Sequence, residues 1–180
     1  MKKIIGITAL AALALSSCGD DSNWSDYEEW RNLNTSLVEE AQNKKNEDGT
    51  PFYSVLVPDW DPAHFILIHY FNDREETAGN LSPLYTSTGS FRYELHIYPD
   101  SLVDASANNS ANGILDFRIN QVVPGFSAAA MDMHCGDTCE VIIPYSLGYG
   151  YSGSGLVPPY TTLKFNMRLV DIPDYEQSPY

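Results

Sequence analysis

Residues 122–169, VVPGFSAAAMDMHCGDTCEVIIPYSLGYGYSGSGLVPPYTTLKFNMRL, constrain this chain more than any other stretch. Val122-Val123-Pro124-Gly125-Phe126 ends an extended segment. Ser127 then stands where an N-cap would, ahead of the helix-forming run Ala128-Ala129-Ala130-Met131. Gly136 is expected to stop that helix. Glu140-Val141-Ile142-Ile143 is β-branched and bounded by Pro144, which reads as a strand, and Leu163 to Leu169 alternates apolar with polar residues like another. A long loop rich in Gly, Tyr and Pro separates the two. Few small folds use that order of short helix, turn, strand, long loop and closing strand.

The start of the chain carries an address. Lys2 and Lys3 precede an apolar run from Ile4 to Leu15, and Leu15-Ser16-Ser17-Cys18 follows. A charged start, a short apolar core and small residues at the end make residues 1–17 a secretory signal, too short for a stable membrane span. The cysteine after small residues resembles a bacterial lipobox, which implies lipidation at Cys18 and a palmitate-bearing lipoprotein anchored to the cell envelope. Gly19-Asp20-Asp21-Ser22-Asn23 is a polar tether, and acidic residues in that place resemble the surface-export signals of Bacteroidetes-type lipoproteins. The formal net charge of −14 becomes more negative once Lys2 and Lys3 are removed. Such a surface repels nucleic acid and anionic lipid heads, so membrane association has to come from the N-terminal lipid.

Trp24 to Lys45 spaces Trp24, Tyr27, Trp30, Leu33 and Leu37 near a helical period and contains no Pro or Gly, which predicts one helix. Residues 18–50 are therefore tether plus N-terminal helix, and packing against its own domain is the expected role of that helix. Within residues 51–85, Phe52 to Val57 and Phe65 to Phe71 read as two extra strands across Pro58-Asp59-Trp60-Asp61-Pro62, and Asn72 to Pro83 reads as a loop. Ala107 to Gly113 reads as a second, flexible loop. Ile114 to Ile119 alternates as a half-buried strand.

With Cys18 taken by lipid, Cys135 and Cys139 remain, in an oxidising compartment. On one extended strand their Cα atoms would be roughly 13 Å apart, beyond disulfide reach. Gly136-Asp137 supplies residues for a turn that brings them together, so a disulfide and two small buried thiols both stay open. His134 with these cysteines gives too few ligands for a zinc site, and no metal or other cofactor is expected. Neither a Gly-x-Ser-x-Gly elbow nor a phosphate loop nor a dinucleotide fingerprint occurs.

Val-Val-Pro-Gly-Phe (122–126), Met133-His134-Cys135-Gly136, Ile143-Pro144, Leu147-Gly148-Tyr149-Gly150 and Val157-Pro158-Pro159 leading to Thr162-Leu163-Lys164-Phe165 resemble, in order and spacing, the C-terminal half of an FKBP-type peptidyl-prolyl cis-trans isomerase. In the first half, Tyr93 placed on the family's strand tyrosine leads without a gap to Val103-Asp104-Ala105-Ser106 on its Phe-Asp-Ser-Ser-like word. His69-Tyr70 is the competing placement and needs a large insertion. The resemblance implies an α+β domain over residues 86–173, an antiparallel sheet of about five strands wrapped over one short helix, with residues 174–180 as a tail.

It also implies a site. Phe126 would form the floor under a proline ring, where the family most often has tryptophan, and Tyr149 would donate its hydroxyl to a substrate carbonyl. Tyr93 would pair with Asp104 at the rim, where Asp104 stays available to a ligand donor. Val103, Leu115, Val122, Val123, Val157 and Phe165 would line the rest, with the Val123 N–H a second donor. Val103 replaces a pocket phenylalanine, which with the smaller floor predicts weak turnover. The implied function is rotamase catalysis, a folding or chaperone activity in the cell envelope. Its partners would be proline-containing polypeptides, and macrolide-type immunophilin ligands fit the same cup. The alternatives are a catalytically inactive module that binds proline-containing segments of a partner, and a lipoprotein that uses the domain as scaffold.

Overall fold

The apolar runs Phe65-Ile66-Leu67-Ile68 and Val141-Ile142-Ile143 are too continuous for strands with one wet face. The computed structural model, which describes residues 24–175, accounts for them: both strands are covered on both faces. The secretory signal, Cys18 and most of the tail lie outside the described residues.

In chain order the elements are α1 (Glu28–Asn43), β1 (Ser54–Leu56), β2 (Ile66–Tyr70), a one-turn α2 (Arg74–Thr77), β3 (Thr88–Ile97), β4 (Ser101–Ala105), a one-turn α3 (Ser106–Asn109), β5 (Leu115–Arg118), α4 (Pro124–Asp132), β6 (Thr138–Ile143) and β7 (Leu163–Asp174). One seven-stranded sheet runs β1-β2-β6-β7-β3-β4, and β5 also pairs β3. Every pairing is antiparallel. β3 shares its outer edge between β5, opposite Thr88 to Phe91, and β4, opposite Glu94 to Ile97. The two extra strands extend the family-like sheet at β6 rather than forming a separate layer.

α4 covers one face. Phe126, Ala129, Ala130 and Met133 pack there against Ile66, Ile68, Phe91, Val141, Ile143 and Phe165. The approach is close enough that a Cβ on Gly125 would meet Ile143 Cγ2 at 2.3 Å, so glycine is the residue that fits between helix and strand. The helix begins earlier than the position of Ser127 suggests. Pro124 occupies its first turn, where a missing N–H costs nothing, and Val123 is the N-cap. Ser127 lies inside the helix and donates its hydroxyl to the Ile119 carbonyl at 2.6 Å. The helix also ends at Asp132, before Gly136, whose φ of 101° serves the following turn.

α1 covers the opposite face, where Val38 joins Tyr53, Leu67 and Ile142. It therefore packs against its own domain. The buried side is not the aromatic stripe read from spacing: Leu33 is exposed and its neighbour Asn34 is buried. Asn34 is drawn inward because its side-chain oxygen accepts the Thr162 N–H at 2.8 Å and its carbonyl accepts the Thr162 hydroxyl at 3.1 Å. Among the described residues no helix is long and apolar enough to cross a membrane.

The segment after β2, read as a plain loop, has a structural task. Asp137 is fully buried in the turn before β6. Its carboxylate accepts from Thr77 at 2.5 Å, Asn72 at 2.9 Å and the His134 N–H at 2.8 Å, with Arg74 Nε at 3.4 Å. Asn72 returns an oxygen to the Thr138 N–H at 2.8 Å. Residues 72–77 thus bolt the extra strands to the α4–β6 turn. Burial alone would raise the Asp137 pKa, but the Thr77, His134, Asn72 and Arg74 contacts outweigh it and hold the carboxyl below its ordinary 3.8.

Because the folded-state value is depressed, this stabilisation is present above pH 3.8 and is lost as pH falls through the lower folded value. Asp137→Asn turns an acceptor toward donors into a donor, and is expected to cost about 2–4 kcal/mol in urea unfolding at neutral pH. The variant should also show a shallower loss of stability between pH 4 and 2 than the wild type.

Candidate active site

The concave side of the sheet, beside α4, holds an open cavity of about 470 Å³. Its floor is Phe126, 3% exposed, which stands nearly edge-on to Phe91 (5.1 Å), Phe165 (5.3 Å), Phe117 (6.1 Å) and Tyr93 (6.5 Å). Such edge-to-face contacts fix a ring's plane as well as its position. β3 contributes Tyr93 and Leu95, β7 contributes Phe165, β5 contributes Phe117, and the turn into α4 contributes Gln121, Val122 and Val123. Tyr149 closes the cup from the β6–β7 loop.

The rim is polar at defined points. Tyr93 donates its hydroxyl to Asp104 Oδ2 at 2.6 Å. The other Asp104 oxygen accepts from the Ala105 N–H at 2.8 Å and Asn109 Nδ2 at 2.8 Å. Asp104 is thus committed to holding Tyr93 and the short α3, with less capacity for a ligand than the sequence suggests. Asn109 comes from the stretch read as flexible loop, which folds into one helical turn. Burial first, and then the Asp104 carboxylate, push the Tyr93 phenol well above its ordinary value, so it remains a donor throughout the neutral range. The Tyr149 phenol is pushed up as well, by burial and by the nearby Asp104 carboxylate.

Neither the Tyr149 hydroxyl nor the Val123 N–H has a hydrogen-bond partner among the described residues. Val123 is the N-cap, so its N–H precedes the helical ladder and is left for a ligand. The cup therefore offers an apolar, aromatic interior and two unengaged donors at its edge.

Tyr93, Asp104, Phe126, Tyr149, Val122, Val123 and Phe165 meet on this cavity. Three residues named from sequence do not line it. Val103 and Leu115 are half-buried and pack against the core, and Val157 is buried within it. Phe117 supplies an aromatic wall of the cavity, 5.6 Å from Tyr93. Phe117, Leu95 and Gln121 were missed. Phe117 was legible as an apolar position on an alternating strand, but nothing in the spacing told which side of a shortened connection it would face.

The cysteines take the thiol alternative. Cys139 is buried on β6 with its Sγ 3.7 Å from Met133 Sδ, while Cys135 lies in the turn and is free. Alternation along β6 points Cys139 into the core, and Asp137 fixes the turn between them, so no bridge forms. Among the described residues no cluster of His, Cys, Asp and Glu is placed to hold a metal ion. A larger cleft of about 780 Å³ opens between α1 and the β3–β4 turn, where charged groups such as Lys44, Glu40, Asp100 and Lys164 stand beside Tyr53 and Tyr98.

Comparison with known proteins agrees with this geometry. Residues 85–170 match the family model for FKBP-type peptidyl-prolyl cis-trans isomerases. The chain is 42% identical over 59 residues to the macrophage infectivity potentiator of Trypanosoma cruzi, a match covering 32% of this chain and 30% of that protein. It is 36% identical over 85 residues to the FKBP-type 22 kDa peptidyl-prolyl cis-trans isomerase of Escherichia coli, covering 45% and 41%. It is 34% identical over 79 residues to the outer membrane protein MIP of Legionella longbeachae, covering 42% and 34%. The chain thus spans less than half the length of these relatives. A solved peptidyl-prolyl cis-trans isomerase from Pseudomonas syringae pv. tomato shares the fold, with a TM-score of 0.66 at 21% identity, over 81% of this chain and 95% of that one. By matched motifs, fold and cavity, residues 85–170 form a domain of the FKBP-type peptidyl-prolyl cis-trans isomerase family.

Proposed function

We propose that this domain catalyses rotation about Xaa-Pro bonds in polypeptides of the cell envelope. The observation that carries the reading is the open aromatic cup floored by Phe126, with two free donors at its edge. Amide resonance opposes the rotation with a barrier of about 18–20 kcal/mol. In the twisted amide resonance is broken and the carbonyl is less polar than in the planar form. An apolar cup that seats the proline ring on Phe126 and excludes water withdraws solvation from the planar, more dipolar amide. The Tyr149 hydroxyl and the Val123 N–H orient the peptide carbonyls, and Asp104 keeps the Tyr93 ring in the wall. No nucleophile takes part. Phe126 is a smaller floor than tryptophan, so turnover is weak and improves with Phe126→Trp.

The envelope location rests on the Met1–Cys18 segment and on the relative named as an outer membrane protein. In this reading Cys18 carries the lipid and tethers the domain to a membrane whose anionic surface its own charge would repel. Macrolide-type immunophilin ligands would compete for the same cup.

Two-dimensional NMR exchange on a short Xaa-Pro peptide measures the activity. Protein is expected to raise the cis–trans rate. Tyr149→Phe should lower kcat/KM about 3- to 10-fold, the worth of one hydrogen bond, and Val103→Phe should give no gain because position 103 is off the lining. Equal exchange with and without protein would remove the enzyme reading, and peptide binding without acceleration would leave a proline-binding module.

Lipidation is tested separately by growing cells on radiolabelled palmitate. Label is expected in the wild-type chain and absent from Cys18→Ser, which should also move from the detergent phase to the aqueous phase.

A further inference from the structure

Tyr160 is the one non-glycine residue among the described residues with a positive φ, at 57°. That region costs a bulky L-residue on the order of 1 kcal/mol and persists only where its surroundings enforce it. Here the ring is 2% exposed. It is enclosed by Tyr145 at 5.3 Å and by residues from the far N-terminal side of the described chain, Trp24 at 5.5 Å and Tyr27 at 6.2 Å. The Arg31 guanidinium lies 3.4 Å over the Trp24 ring and 5.7 Å from the Tyr160 ring. This places a charged group over the aromatic cluster.

The backbone of Tyr160 leads to the cup. Its N–H donates to the Gly150 carbonyl at 2.9 Å, and the Gly150 N–H donates to the Tyr145 carbonyl at 2.9 Å. Gly150 directly follows Tyr149. A second grip lies on the other side of Tyr160, where Trp30 donates its indole N–H to Thr161 Oγ1 at 3.0 Å and Asn34 holds Thr162. Farther along α1 the contacts change character, since Val38 joins the apolar cluster of Tyr53, Leu67 and Ile142 on the opposite side of the sheet.

We propose that residues 24–34 are a positioning clasp for Tyr149: by holding Tyr160 in its left-handed conformation, they set through Gly150 where the Tyr149 hydroxyl stands over the cup. The N-terminal helix then belongs to the site functionally, although it contributes no lining residue. This inference rests on the isomerase reading for its kinetic consequence and on geometry alone for its structural one. Releasing the clasp frees the loop to relax, and the benefit of the Tyr149 hydroxyl disappears with it.

The test uses the full chain carrying Trp24→Ala with Tyr27→Ala, against Val38→Ala as a variant that weakens α1 without touching the loop. The clasp variant is expected to lose about 3- to 10-fold in kcat/KM on an Xaa-Pro peptide, mainly in kcat, and to lose nothing more when Tyr149→Phe is added. Trp24→Phe with Tyr27→Phe should restore most of the rate. Val38→Ala should lower stability and leave kcat/KM unchanged at temperatures where it is folded. Amide hydrogen exchange gives a readout that needs no turnover: the Tyr160 N–H should exchange faster in the clasp variant and not in Val38→Ala. Wild-type Tyr160 protection in the clasp variant, or losses that add to those of Tyr149→Phe, would overturn the proposal. A wild-type chain without catalysis would sink the isomerase reading, and Tyr160 exchange would still decide the clasp.

Discussion

The contact between the start of α4 and β6 governs both the core and the site. Gly125 brings the helix so near Ile143 that the next side chain, Phe126, enters the middle of the sheet's concave face. There it meets four other rings edge-on, and its plane is set by all of them. The floor of the cup is therefore a core residue with one side left uncovered. A ring that is locked by packing and still borders an open cavity is already organised before a ligand arrives, so no ordering cost falls on binding.

Around that contact the chain has added material on the far side of the sheet. β1 and β2 extend the sheet past β6, and α1 seals the face that α4 leaves bare. Two polar devices fasten these additions. Asp137, buried and multiply hydrogen-bonded, ties residues 72–77 to the α4–β6 turn, and Asn34 ties α1 to the start of β7. A buried polar group is costly without partners and strongly directional with them, so such groups fix register where apolar contacts alone would allow sliding. The consequence reaches function because the second fastening lies beside the loop that carries Tyr149.

Much of the site was readable because its residues fall into short words with a backbone reason. Pro124 and Gly125 are there for a helix start and a close approach, and Gly153 is there because a Cβ would meet the Val157 carbonyl at 2.4 Å. Those requirements are local and keep the words recognisable, and Phe126, Val123 and Tyr149 were placed by their positions within the family-like words. Val103, Leu115 and Val157 went astray for the opposite reason. Each is apolar and partly or wholly inside, and apolar character does not distinguish a wall of the cup from the core beneath it. Phe117 was missed on the same account.

The sequence by itself determined the longer helices and strands and the family-like words from Val122 to Phe165, since each depends on neighbours within a few positions, and its composition determined the net negative charge. Only the tertiary structure decided that Phe117 walls the cup, that Asp104 is committed to Tyr93 and Asn109, and that Cys135 and Cys139 remain apart. It alone decided which side of α1 faces inward, because a pair such as Asn34 and Thr162 is made across the fold by segments whose sequences carry no mark of each other.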